Sequence, residues 1–275
     1  MKKYIPKIIG SSINTVGVVS PKYAAHLSMT LFSSPKKGKT NEKQENYLKA
    51  AKQDELICNN ITIKTYQWAG KKDTILLAHG WESNSYRWKD LIELLKAEDY
   101  NIVALDAPAH GNSGGKLFNA LIYSECIHAV AKKFKASVIM GHSVGGMATA
   151  FGNYNYPLES IKKLVLLGAP ADFTGVFSRY INMMGYNNKV SNAMDKYVLK
   201  RFNHLPDYFD ASKFTKDFKA KGLIIHDKKD RIIPYKDGLK FKYNYTNSQF
   251  VSTTGFGHGL KSELVYNHIL DFLNT

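Results

Sequence analysis

The six residues Gly141-His142-Ser143-Val144-Gly145-Gly146 carry the strongest chemical signal in the chain. They follow an apolar run, Val138-Ile139-Met140, and precede a helix-compatible stretch over 147–154. A serine between glycines at a strand-to-helix turn is held on a sharp elbow with its hydroxyl outward. The glycines permit close backbone approach, and the helix N-terminus that follows offers unpaired N–H groups to developing negative charge. Ser143 is the candidate nucleophile.

A serine hydroxyl needs a base to take its proton. Of nine histidines, His79 and His110 lie in loops after strands, His142 is the elbow's own neighbour and His226 ends a strand. His258, within Gly255-Phe256-Gly257-His258-Gly259, follows the last apolar run in a glycine-flanked loop. The chain order serine, acid, histidine that accompanies this elbow selects His258. The base in turn needs an acid to fix its tautomer. Asp230, after Leu223-Ile224-Ile225, ranks first, ahead of Asp172 and Asp227, for which helix capping and turn formation are the simpler roles. A tetrahedral intermediate requires two donors. The Val144 N–H and the Trp81 N–H, from His79-Gly80-Trp81-Glu82, are the candidates for this oxyanion hole.

These residues must be positioned by regular elements. Short, wholly apolar runs recur at 75–78, 102–105, 138–140, 164–167, 223–225 and 250–251. Such runs suit strands buried on both faces of a parallel sheet. Helix-like segments lie between them, at 86–96, 117–134 and 235–243, giving the alternation of a doubly wound α/β sheet. Asn59-Asn60 between Leu56-Ile57-Cys58 and 61–66 predicts a tight hairpin. The alternation breaks between Asp172 and about Thr215, where nine aromatics and three methionines gather without a strand. That density predicts a helical cap or lid over an apolar pocket.

The first 52 residues form a separate expectation: a basic N-terminal extension and linker ahead of a main domain over 53–275. Ile5, Ile8, Ile9, Ile13 and Val16 recur at helical spacing, which predicts a stripe packed on the main domain or on a membrane surface or partner. The stretch 34–45 reads as a polar, lysine-rich linker. Lys and Arg number 38 against 23 Asp and Glu, a net charge of +15, and residues 1–50 hold nine lysines against Glu42 and Glu45. No nucleic-acid recognition pattern accompanies this charge, so a nucleic-acid partner is not expected, whereas a weak contact with an anionic membrane surface through the basic arm is. Two cysteines, Cys58 and Cys126, exclude a disulfide scaffold, and no zinc-ligand spacing occurs. A cytoplasmic location is expected, with export or peripheral membrane attachment as the alternative. Oligomeric state has no signal.

The segments 77–81, Asp106-Ala107-Pro108-Ala109-His110-Gly111-Asn112-Ser113, Gly141–Gly146, 226–234 and Gly257-His258 together resemble the ordered motif set of the α/β-hydrolase superfamily. The resemblance covers about residues 53 to 275. It implies an eight-stranded, mostly parallel sheet with a helical cap inserted after strand six. It also implies a Ser143-Asp230-His258 triad with Trp81 and Val144 as oxyanion donors, and a structural turn at 106–113. Asp227 and Ala109 stand where many relatives have glycine. The function implied is a serine hydrolase acting on small-molecule carboxylic esters with an apolar acyl group, without a cofactor. Thioesterase, amidase, acyltransferase and carbon–carbon hydrolase chemistry use the same triad, and a slow ligand-sensing module is the non-enzymatic alternative.

Overall fold

The computed structural model describes residues 4–275, so Lys2 and Lys3 of the basic arm lie outside it. The chain forms two compact units. One joins the residues up to Ser34 with Asp172–Asp210; the other comprises Pro35–Ala171 and Ala211–Thr275.

The smaller unit starts with α1 (Ile5–Val19) and α2 (Pro21–Phe32), linked at Ser20, whose hydroxyl accepts the Tyr23 N–H and so caps α2.

The larger unit begins with α3 (Glu42–Leu48), opened by an Asn41–Gln44 capping box. Then come β1 (Lys52–Cys58) and β2 (Ile61–Trp68), a hairpin in which Cys58 pairs with Ile61. Asn59 and Asn60 take φ of 50° and 60°, the two positive values that let a two-residue turn follow the strand twist. β3 (Lys72–Ala78), a short 3-10 turn (Ser85–Trp88), α4 (Lys89–Ala97), β4 (Tyr100–Leu105), α5 (Ala120–Lys133), β5 (Val138–His142), α6 (Val144–Asn155) and β6 (Lys163–Leu167) follow.

After β6 the chain enters the smaller unit again as α7 (Phe173–Met184) and α8 (Asn188–Phe202). It returns as α9 (Ala211–Phe214), β7 (Lys221–Asp227), α10 (Tyr235–Asn244), β8 (Ser248–Thr253) and α11 (Glu263–Leu273). The eight strands form one sheet in the order β1-β2-β4-β3-β5-β6-β7-β8. β1, β2 and β4 pair antiparallel, and the remaining pairs are parallel. Ile75, Leu76, Leu77 and Ala78 of β3 are all fully buried, as a strand covered on both faces requires.

Three boundaries differ from the sequence expectation. The inserted unit ends at Asp210, and α9 beyond it belongs to the larger unit, where Phe214 stacks on Tyr154 with ring centroids 4.2 Å apart. The N-terminal helices belong with the insertion, not with the sheet-bearing unit. And the buried face of α1 is Gly10, Ile13 and Gly17, while Ile5, Ile8 and Ile9 are exposed. Close approach decides this: a Cβ on Gly10 would stand 1.8 Å from the Met184 carbonyl oxygen. The contact is sealed by Asn14, whose Nδ2 donates to Gly185 O at 2.9 Å while its Oδ1 accepts the Asn187 N–H at 3.0 Å. An isoleucine face could not come so near.

Candidate functional site

Ser143 joins β5 to α6 with φ 55° and ψ −129°, a backbone state costing a non-glycine residue about 1–3 kcal/mol. The flanking glycines make it possible. A Cβ on Gly145 would lie 2.4 Å from Ala78 O, and one on Gly141 2.5 Å from Gly145 O. The Ser143 N–H is anchored to Leu167 O at 2.8 Å. Its hydroxyl therefore stands at the carboxyl end of the sheet and the amino end of α6, facing the loop after β8.

That loop brings in His258. Its Nε2 lies 2.9 Å from Ser143 Oγ, and its Nδ1 lies 2.7 Å from Asp230 Oδ2. With the carboxylate on the Nδ1 side, that nitrogen holds the proton and Nε2 is left to accept from the serine. The Asp230 side chain is buried and its Oδ1 accepts the Ile232 and Ile233 N–H groups at 2.8 and 2.9 Å. Burial alone would raise its pKa, but the bonds from His258, Ile233 and Ile232 outweigh it and hold the carboxyl below its ordinary value. It stays an anion.

The other two acid candidates are placed elsewhere. Asp172 caps α7, accepting the Gly175 N–H at 2.6 Å. Asp227 clamps the histidine loop: Oδ1 accepts the N–H groups of Lys229 and Gly255, and Oδ2 accepts the Thr253 hydroxyl and the Phe256 N–H. Two more groups hold that loop. His142 Nε2 donates to the His258 carbonyl at 2.7 Å, and Arg87 Nη2 donates to the Gly259 carbonyl at 2.9 Å. The neighbour of the serine thus grips the backbone of the histidine. Burial, with Arg87 and His258 close by, pushes the His142 pKa well down, so the ring is neutral. His226 donates to Ile233 O at 3.0 Å, and its Nε2 lies 3.6 Å from Asp230 Oδ2.

The loop after β3 runs close by. A Cβ on Gly80 would stand 2.8 Å from Ser143 Cβ. The N–H groups of Trp81 and Val144 donate to no protein acceptor among the described residues, so both remain open to a ligand. His79 fixes the base of the loop, its Nε2 accepting the Ala107 N–H at 2.9 Å and its Nδ1 donating to Gly80 O at 2.7 Å. Burial holds this ring neutral, with a pKa pushed down to about 3. His110 does the same one layer out, accepting the Glu82 N–H at 3.0 Å and donating to Pro108 O at 2.8 Å. The Trp81 ring packs edge-on against His110 and Phe118, each with centroids 5.3 Å away.

The supposed linker is part of this construction. The Lys36 N–H donates to Glu82 Oε1 at 2.8 Å, Gly38 O accepts the Gly111 N–H at 2.9 Å, and Lys39 Nζ reaches Ser113 O at 3.2 Å. Gly38 has φ +97°, and a Cβ there would meet His110 at 2.8 Å. Residues 35–40 form a strap across the outside of the loop after β3 and the 106–113 turn. That turn centres on buried Asp106, which accepts from Tyr66 OH, the Ser85 hydroxyl and N–H, and the Asn112 N–H at 2.7–2.9 Å. Ala109, in place of glycine, still takes φ 66°.

No group of three or more His, Cys, Asp or Glu among the described residues could hold a metal ion. Cys58 and Cys126 are buried free thiols.

The family profile described as "Alpha/beta hydrolase family" matches residues 75–242. The chain belongs to the alpha/beta hydrolase family. Among relatives of this hydrolase, a "Serine hydrolase-like protein" from Danio rerio is 32% identical over 114 residues, 38% of this chain and 34% of that one. A 2-hydroxy-6-oxononadienedioate/2-hydroxy-6-oxononatrienedioate hydrolase from Paraburkholderia phymatum is 21% identical over 255 residues, covering 74% of this chain and 87% of that one. The hydrolase thus spans about a third of the first relative's length and most of the second's. Among solved structures, an esterase from Exiguobacterium antarcticum superposes with a TM-score of 0.65 at 16% identity, covering 82% of this chain and all of that one. This likeness is one of fold.

Proposed function

We propose that this alpha/beta hydrolase is a serine hydrolase that cleaves carboxylic esters with an apolar acyl group through an acyl-enzyme. The observation that carries the reading is the relay from Ser143 Oγ to His258 Nε2 at 2.9 Å and from His258 Nδ1 to Asp230 Oδ2 at 2.7 Å. In the proposed reaction Ser143 Oγ attacks the carbonyl carbon while its proton passes to His258 Nε2. The carbonyl oxygen becomes an oxyanion, bound by the N–H groups of Trp81 and Val144 at the start of α6. Asp230, kept anionic by its donors, stabilises the imidazolium. The alkoxide leaves with the proton from His258. Water, activated by the same histidine, then releases the acid and restores the serine. The aromatic surface of Trp81, 37% exposed and backed by Phe118, favours an apolar group beside the scissile bond.

Hydrolysis of p-nitrophenyl esters from acetate to palmitate tests this proposal. The expected result is turnover with preference for chains longer than acetate, reduced on the order of 10⁴-fold or more by Ser143→Ala. A strong acetate preference would remove the apolar-acyl element. Carbon–carbon hydrolysis is the second reading, supported by the activity for which the Paraburkholderia relative is named; turnover of a vinylogous 1,5-diketone acid with none of any ester would select it.

A further inference from the structure

The outward face of α1 is an apolar ridge. Ile5, Ile8, Ser12, Thr15 and Val19 follow one another at intervals of three and four, so they line up along one side of the helix. Val19 is 89% exposed and Ile8 64%, and Tyr4, Ile5, Val18 and Tyr23 are each more than half exposed. The two hydroxyls on the ridge bond back to carbonyls of their own helix. Ser12 Oγ donates to Ile8 O and Thr15 Oγ1 to Ser11 O, both at 3.2 Å. Hydroxyls bonded back to the helix in this way need no partner from the surroundings. Nor can the helix roll to hide the ridge, because Gly10 and Asn14 lock its opposite face to the turn at Met184–Asn187.

Charge identifies what covers such a face. Residues 1–41 contain seven lysines and no aspartate or glutamate. Lys7 and Lys22 are exposed. A second copy paired through this same face would set Lys7 and Lys22 against their own counterparts with no acid from residues 1–41 to meet them, which opposes that pairing. An anionic lipid surface meets the charge and the apolar ridge together. Tyr4 and Tyr23, beside the two ends of the helix, are rings of the kind that settle at headgroup depth. With 15 residues α1 is about 22 Å long, and no helix among the described residues is long and apolar enough to cross a membrane, so the helix would lie flat.

We propose that α1 is a docking face for anionic bilayers, with Ile5, Ile8 and Val19 among the acyl chains and Lys7 and Lys22 in the headgroup layer. This docking goes beyond the hydrolytic reading and does not depend on it. The test is co-sedimentation of the full chain with phosphatidylcholine vesicles, with and without about one third phosphatidylglycerol. Wild type should bind the anionic vesicles and not the neutral ones. Ile5→Ser/Ile8→Ser/Val19→Ser should lower the partition coefficient at least about 10-fold while the thermal unfolding midpoint holds. Lys7→Gln/Lys22→Gln should weaken binding at low salt. The single change Val19→Ser, at a nearly free side chain, repeats the test with less demand on folding. Absence of binding by wild type overturns the proposal. So does equal binding by the serine variants, which would mean adsorption by charge alone. A wild-type dimer in sedimentation velocity that the triple variant dissolves, without vesicle binding, would assign the ridge to a second copy.

Discussion

Replacing Asp230 by asparagine keeps size and burial while reversing one hydrogen bond, and the structure determines which one. The carboxylate uses Oδ1 for the Ile232 and Ile233 N–H groups and Oδ2 for His258 Nδ1. An asparagine must set its oxygen toward the two backbone donors, because the flipped amide would strand both N–H groups at about 1–3 kcal/mol each. Its NH₂ then faces His258 Nδ1 and donates to it. The imidazole is forced into the tautomer with hydrogen on Nε2, 2.9 Å from Ser143 Oγ, where it can no longer accept the serine proton. The wrong tautomer and the lost imidazolium stabilisation together reduce kcat about 10⁴-fold, or about 5.5 kcal/mol. Ester hydrolysis from pH 6 to 10, beside urea unfolding of the same preparation, measures this. KM and stability should change little. A loss of less than about 10-fold with the fold intact would refute the assigned orientation and the role of Asp230.

The remaining predictions concern what holds the site. Asp227→Asn places an NH₂ among four donors, so it should lower both kcat and the unfolding midpoint, unlike Asp230→Asn; activity and thermal melts compare the two variants. Gly38→Ala, with φ +97° and His110 in the way, should lower kcat more than it changes KM by displacing the loop that carries the proposed oxyanion donor Trp81, read from Michaelis curves on one ester. His79, His110 and His142 all have pKa values lowered by burial, so the unfolded chain binds more protons below its histidine pKa of ~6.5. Stability is therefore lost as pH falls below ~6.5, by about 1.4 kcal/mol per pH unit for each histidine kept neutral, and the loss continues for His79 down to a pKa of about 3. Asp227 and Asp230, with lowered pKa values, add a separate loss below ~4 as they are protonated. Urea unfolding at pH 8, 6, 5, 4 and 3 separates these windows.

Much of the candidate site's geometry was legible in the residues, and the reason is local. Buried parallel strands must be apolar throughout, so β3 to β7 announce themselves, and an elbow serine needs glycines at fixed offsets in the chain. His258 and Asp230 follow from their places after β8 and β7. The supports were not legible, because their partners are distant in sequence and have no periodic signal. Lys36 meets Glu82 across 46 positions, and His142 meets the His258 carbonyl across 116. Asp227 occupies a position where a turn role was the simple reading, and only the structure gathers its four donors. The α1 stripe misled for a physical reason: periodicity marks an apolar face, but the tightest backbone approach selects glycine, so Ile5, Ile8 and Ile9 point outward while Ile13 stays buried beside Gly10 and Gly17.

The central claim is that Ser143 is activated by His258 and Asp230. Labelling with a fluorophosphonate probe, followed by intact-mass and peptide analysis, tests it independently of any chosen substrate. One phosphonyl adduct per chain, confined to the peptide bearing Ser143, absent in Ser143→Ala and strongly slowed in His258→Ala and Asp230→Asn, is the predicted result. An adduct that persists in Ser143→Ala, or labelling at the wild-type rate without His258, would contradict the account.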